Sequence, residues 1–199
     1  MRKIINSLVF VTLIMSSTNA LSYNSDPKIF IDELVTDAIK ILSDKDISKA
    51  DKNKKIRTIA LENIDINAIG MYTLSSKRKT LDQDTLIKYK SLFEKYFLKS
   101  LTSRLNEYSG QKFEVVSAEQ KSETYTIVSS QIAENLSQPK IKINWRVYTK
   151  DPAKPLIRDL IVEGLSLAKT QKEEFASILN SNNNDINILF LKLEEFINN

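Results

Sequence analysis

Apolar residues recur at helical spacing through the first half of the chain, alternate singly through the third quarter, and return to helical spacing at the end. Asp26 followed by Pro27 reads as an N-cap with proline at the first helical position, and Ile31, Leu34, Val35, Ala38, Ile41 and Leu42 make one face. Ser48 with Asp51 three residues on resembles a capping box, and Ile56, Ile59, Ala60 and Ile64 carry a shorter second helix. A third short helix is expected over residues 66–74.

Thr80 with Gln83 resembles another capping box, opening a long helix to about Tyr108 that Ser109 and Gly110 close. On a helical wheel, Asp84, Lys88, Ser91, Lys95, Lys99, Thr102 and Asn106 fall in one narrow strip. Apolar residues, among them Leu86, Tyr89, Leu92, Phe93, Tyr96, Phe97, Leu98, Leu101 and Leu105, occupy most of the rest. A surface helix needs a narrower stripe. This one is expected to be sandwiched, with a sheet on one side and helices or a ligand on the other.

Strand patterns follow over residues 112–118, 123–133, 139–150 and 155–163. In the third, Ile141, Ile143, Trp145 and Val147 alternate with Lys140, Lys142, Asn144, Arg146 and Tyr148, so one face is apolar and one is wet. A turn over residues 151–154 joins the last two strands, and Gly164 ends the sheet. Helical spacing resumes with Phe175, Ile178 and Leu179, then with Ile186, Leu189, Phe190, Leu193, Phe196 and Ile197 after a cap near Asn184 or Asp185. The expected fold is α+β: a four-stranded antiparallel sheet with helices packed on one face.

The N-terminus adds an address. Arg2 and Lys3 precede an apolar run, residues 4–15, interrupted by Asn6, Ser7 and Thr12, and Thr18 and Ala20 suit a signal-peptidase site. The run is roughly a dozen residues where a membrane span needs about 20. Residues 1–20 are therefore read as a cleavable signal peptide and 21–199 as a single domain, exported and monomeric by default. The net charge of +4, two units of it from Arg2 and Lys3, does not call for a nucleic-acid partner. The chain has no Cys and no His, which removes cysteine nucleophiles, Ser-His-Asp triads and histidine-containing zinc sites.

Two stretches in order carry a family resemblance. The first is Ile66-Asn67-Ala68-Ile69-Gly70-Met71-Tyr72, followed by a long helix with Phe93, Phe97, Leu101 and Leu105 and ending at Tyr108-Ser109-Gly110-Gln111. The second is Asp159-Leu160-Ile161-Val162-Glu163-Gly164-Leu165-Ser166-Leu167 with Phe175 beyond it. At these spacings the chain resembles the MlaC-type periplasmic phospholipid-binding family, also called the toluene-tolerance auxiliary family. It departs from the family pattern before Asp159, where a tryptophan is usual and Pro155 and Leu156 stand; at Lys172, where arginine is frequent; and at Asn182 to Asn184, where glycines are common.

The resemblance implies that the sheet and helices enclose an apolar cavity, in a periplasmic carrier that buries acyl chains there, leaves the headgroup largely in water, and shuttles glycerophospholipid between an outer-membrane lipoprotein complex and an inner-membrane ABC transporter complex, maintaining outer-membrane lipid asymmetry. It implies no catalysis and no cofactor or metal. The lipid-lining residues expected are Ile69, Tyr72, Phe93, Tyr96 and Phe97 from the helices and Ile143, Trp145, Val147, Leu160 and Val162 from the sheet. Ordinary core packing is the competing reading of each. Arginine at Val147 or Val162 is expected to empty the cavity and leave the fold largely intact.

The basic runs Lys52, Lys54, Lys55, Arg57 and Lys77-Arg78-Lys79 fit a solvated surface or a contact with anionic headgroups or a partner. Two other functions stay open. A non-catalytic envelope adaptor would present the apolar surplus as a flat patch. An enzyme would use Asp159 and Glu163, an even number apart on one strand, with a buried tyrosine such as Tyr72 or Tyr125.

Overall fold

The computed structural model describes residues 23–133 and 139–199. The expected signal peptide lies outside the described residues.

Local chemistry sets the helix starts. Helix α1 (Pro27–Ser43) begins where the Asp26 carboxylate accepts from the amides of Lys28 and Ile29 at 2.9 and 3.0 Å. In α2 (Lys49–Asn63) Ser48 Oγ accepts from the Asp51 amide at 3.1 Å and donates to the Asp51 carboxylate at 2.7 Å. Asp65 caps α3 (Ile66–Thr73), which a short 3₁₀ turn (Ser75–Lys79) follows. The long helix α4 (Gln83–Leu105) is capped by Asp82, whose side chain accepts from the Thr85 amide at 2.7 Å, and not by Thr80. The aspartate wins because it stands immediately before the first helical turn.

The strands are β1 (Lys112–Ser122), β2 (Tyr125–Ala133), β3 (Ile141–Tyr148), β4 (Leu156–Val162) and β5 (Leu165–Ser166), ordered as they follow in the chain and antiparallel throughout. The sheet thus has five strands instead of the expected four. Gly164 does not end it: Glu163 and Gly164 both take positive φ, 48° and 83°, and make a two-residue hairpin turn that lays β5 against β4. Helices α5 (Leu167–Asn180) and α6 (Ile186–Asn198) complete the described chain.

Two apolar cores result. One contains α1 residues Phe30, Ile31 and Leu34 with Ile59 of α2 and the sheet residues Val128, Val147 and Ile157. The other, built from α3, α4, α5 and α6 with Ala60 of α2, contains no strand residue. Helix α4 is indeed sandwiched, but between α6, α3 and α2 instead of against the sheet. Its wide apolar face is used by helices on several sides. Helix α2 links the cores, sending Ile59 to one and Ala60 to the other, while Ile64 packs against both.

Candidate functional site

Strand alternation and register collect the apolar sheet residues on one face. Ile141, Ile143, Trp145 and Val147 share it along β3. The ladder adds Ile132 opposite Ile141, Val162 opposite Ile143, Leu160 opposite Trp145 and Leu165 opposite Val162. Helix α1 covers one end of this face, where Val128 and Val147 have no exposed surface. At the other end Ile132, Ile143, Trp145, Leu160 and Val162 are only half-buried. Ile141 is 46% exposed and Leu165 61%. The outcome is a continuous apolar strip across β2, β3, β4 and β5 that no helix among the described residues seals.

Trp145 holds the boundary between the two ends. Its indole Nε1 donates to Ser130 Oγ at 2.8 Å, and its ring meets Phe113 edge-on with centroids 6.2 Å apart. Ser130 is fully buried and donates in turn to the Ile143 carbonyl at 3.2 Å, so the polar atoms beneath the strip are satisfied.

The helical residues expected beside this strip sit elsewhere. Phe93 is buried in the helical core among the rings of Tyr89, Tyr96, Phe97 and Phe175. It also packs on Gly70 so closely that a Cβ there would stand 2.7 Å from its ring. Tyr96 is half-buried and donates to Gln171 Oε1 at 2.7 Å; burial and the nearby Glu174 carboxylate raise the pKa of its phenol. Phe97 is half-buried on the same core. The sheet set and the set of Phe93, Tyr96 and Phe97 thus belong to different cores.

Ile69 and Tyr72 of α3 do reach the sheet, but on its opposite face. With Ala68, Ala168 of α5, Tyr125 of β2, Arg146 of β3 and Arg158 and Asp159 of β4 they line a cleft of about 160 Å³. Ile69 is buried, whereas Tyr72 is 44% exposed with the Lys172 ammonium 5.3 Å from its ring centre. Helices therefore reach both faces of the sheet, α1 on the apolar face and α3 and α5 at this cleft. A second hollow of about 400 Å³ runs between α1 and α2, with Ile41 and Ile59 below a rim of Asp37, Lys40, Asp44 and Lys55. Neither is the enclosed apolar chamber expected from the sequence.

The two carboxylates weighed as an acid–base pair do different work. Asp159 is buried and accepts from Ser166 Oγ at 2.6 Å and from the Ala168 amide at 3.0 Å, which ties β4 to the first turn of α5. Glu163 does not share its strand; it lies in the hairpin turn, where its carboxylate accepts from the Lys142 amide and its own amide donates to the Lys142 carbonyl at 3.0 Å. The Asp-to-Ser motif is a structural staple.

Sequence reasoning missed Ile132 and Leu165 on the strip and Arg146 and Arg158 at the cleft, and left Ile141, already on the apolar face of β3, out of the expected lining. Register was the missing signal for Ile132 and Leu165, since only pairing shows that the strip runs across four strands. Among the described residues no helix is long and apolar enough to cross a membrane, and no group of three or more acidic, His or Cys residues is placed to hold a metal ion.

Residues 32–195 match the family model described as MlaC protein. Seven solved chains match the structure. One is the phospholipid-binding protein from Ralstonia solanacearum in complex with a phospholipid, with a TM-score of 0.69 at 17% identity, covering 87% of this chain and 97% of that one. No curated protein matches by sequence.

Proposed function

The chain belongs to the MlaC family, and from that membership we propose that it is a phospholipid carrier of the bacterial periplasm, exported by a signal peptide over residues 1–20 and acting as a single domain from residue 21. It moves glycerophospholipid between an outer-membrane lipoprotein complex and an inner-membrane ABC transporter complex, keeps outer-membrane lipids asymmetric, catalyses nothing and needs no cofactor. The observation that carries this reading is the half-exposed apolar strip beyond α1, which a protein with no ligand for it would be expected to cover.

Acyl chains lie along Ile143, Trp145, Leu160 and Val162, with Ile141 and Leu165 at the open end. Each methylene removed from water contributes about 0.8 kcal/mol, so a chain of roughly 16 carbons is held by about 12 kcal/mol gross. Transfer from a bilayer exchanges one apolar surrounding for another, so the net driving force is small and exchange is fast only at a docked membrane complex. Phe93, Tyr96 and Phe97 belong to the helical core and Ile69 and Tyr72 to the opposite face of the sheet, so in this reading the sheet residues hold the acyl chains.

The test is transfer of a fluorescent phosphatidylethanolamine from donor vesicles to the protein. Saturable uptake that Val162→Arg abolishes supports the reading. Uptake unaffected by that substitution would move the acyl chains off the strip, and no uptake at all would favour an adaptor.

A further inference from the structure

The cleft on the opposite face of the sheet holds an exposed arginine, Arg146, that no acid side chain of the described residues bonds. Arg146 faces Asp159 across the β3–β4 ladder, but both Asp159 oxygens are engaged, by Ser166 Oγ at 2.6 Å and the Ala168 amide at 3.0 Å. Among the described residues Arg146 makes no ion pair and no side-chain hydrogen bond. Its neighbour Arg158 is fully committed: Nε donates to Asp65 Oδ2 at 2.9 Å, Nη1 donates to Tyr125 Oη at 3.1 Å, and the guanidinium lies 3.4 Å above the centre of the Tyr148 ring.

That arrangement fixes the cleft wall and leaves something over. Tyr125 Oη accepts from Arg158, so its own proton is free to donate into the cleft. The remaining Asp65 oxygen accepts from the Ala68 amide at 3.0 Å, capping α3. Lys172 stands at the rim over Tyr72. Arg146, Arg158 and Lys172 against Asp65 and Asp159 leave one net positive charge, and neither acid has an oxygen left unengaged.

We propose that this cleft binds a phosphate ester, with Arg146 as its principal ligand through paired N–H donors and Tyr125 Oη as a second donor. The apolar floor of Ala68, Ile69 and Ala168 receives the carbon attached to the ester oxygen. A volume of about 160 Å³ is that of a cavity for one benzene-sized molecule, which fits a phosphate and its first carbons and excludes an acyl chain. The site lies across the sheet from the apolar strip and does not depend on it. Its ligand is a free phosphate ester, since acyl chains lying along the strip leave a carried phospholipid's own phosphate on the other side of the sheet.

The experiment titrates glycerol 3-phosphate into lipid-stripped and lipid-loaded protein at low salt, followed by backbone amide NMR. The expected result is a dissociation constant on the order of 1 mM, with shifts at the Ala68, Ile69 and Ala168 amides. Binding weakens as salt rises, at least about tenfold with Arg146→Ala and about twofold with Tyr125→Phe. Glycerol alone gives no shift.

Shifts in both forms are the expected result; shifts in the stripped protein only would show carried lipid filling the cleft and would overturn its assignment to a free ester. Absence of shifts at those amides, or unchanged affinity in Arg146→Ala with an unchanged melting curve, overturns the proposal. Phospholipid adducts in native mass spectra are read independently, so failure here leaves the carrier reading standing.

Discussion

The two ends of the apolar sheet face use the same residue types in the same alternation and meet different fates. Beneath α1, Val128 and Val147 are sealed in a core with Phe30, Ile31 and Leu34. On the neighbouring strands β4 and β5, Val162 and Leu165 pair on the same face with no helix of the described residues sealing them. Strand pattern decides which face is apolar; only the reach of α1 decides where core ends and surface begins.

The largest effect should come from the covered end. Val147→Arg places a charge where no water reaches, and we expect a loss of about 4 kcal/mol or more, read as a collapsed or strongly lowered thermal transition. The sequence reading that this substitution would spare the fold is therefore abandoned for Val147. Retention of a near-normal melting temperature would mean that α1 lifts readily and that the two ends are alike.

Asp159→Ala removes the acceptor for both Ser166 Oγ and the Ala168 amide and should destabilise by about 2 kcal/mol, measured by urea denaturation. An active-site carboxylate would instead show little effect on stability. Asp159→Asn, which keeps one acceptor, should lose less.

Tyr89 tests the helical core. Its hydroxyl bonds to Thr73 Oγ1 at 2.7 Å and to the Gly70 carbonyl at 3.2 Å, and burial raises its pKa well above the usual tyrosine value. The folded state thus keeps this proton when the unfolded chain releases it. Stability from this group is complete below about pH 10 and declines as pH rises beyond it. Tyr89→Phe should lose about 1 kcal/mol at neutral pH and show a shallower alkaline decline in denaturation at pH 8 and pH 10.5. Tyr23, raised chiefly by burial, contributes to the same decline and remains in the variant.

The smallest effect on stability should come from the uncovered end. Val162→Arg can turn its guanidinium to water from a half-buried position, so we expect a change below about 1 kcal/mol together with loss of bound lipid. A stability loss matching that of Val147→Arg would erase the distinction between the ends.

Much of this was legible in the sequence because it is local. The caps at Asp26, Ser48 and Asp185, and the alternation along β3, need only neighbouring residues. The turn over residues 151–154 is likewise local, closed by Lys154 donating to the Asp151 carbonyl at 3.1 Å. What was not legible depends on distant partners. The breadth of the apolar face of α4 suggested a sheet on one side, but breadth alone does not identify the partner, and helices cover it. Five aromatic and apolar helix residues were joined in thought to the sheet strip, yet Phe93, Tyr96 and Phe97 pack in the other core and Ile69 and Tyr72 reach the other face. The hairpin at Glu163 and Gly164 was read as an end because Gly punctuates both stops and turns.

Native mass spectrometry of the protein recovered from cells, with solvent extraction of whatever it carries, tests the carrier account most directly. The account predicts adducts whose masses match diacyl glycerophospholipids, absent from Val162→Arg. A bare protein mass that persists after incubation with liposomes would contradict it.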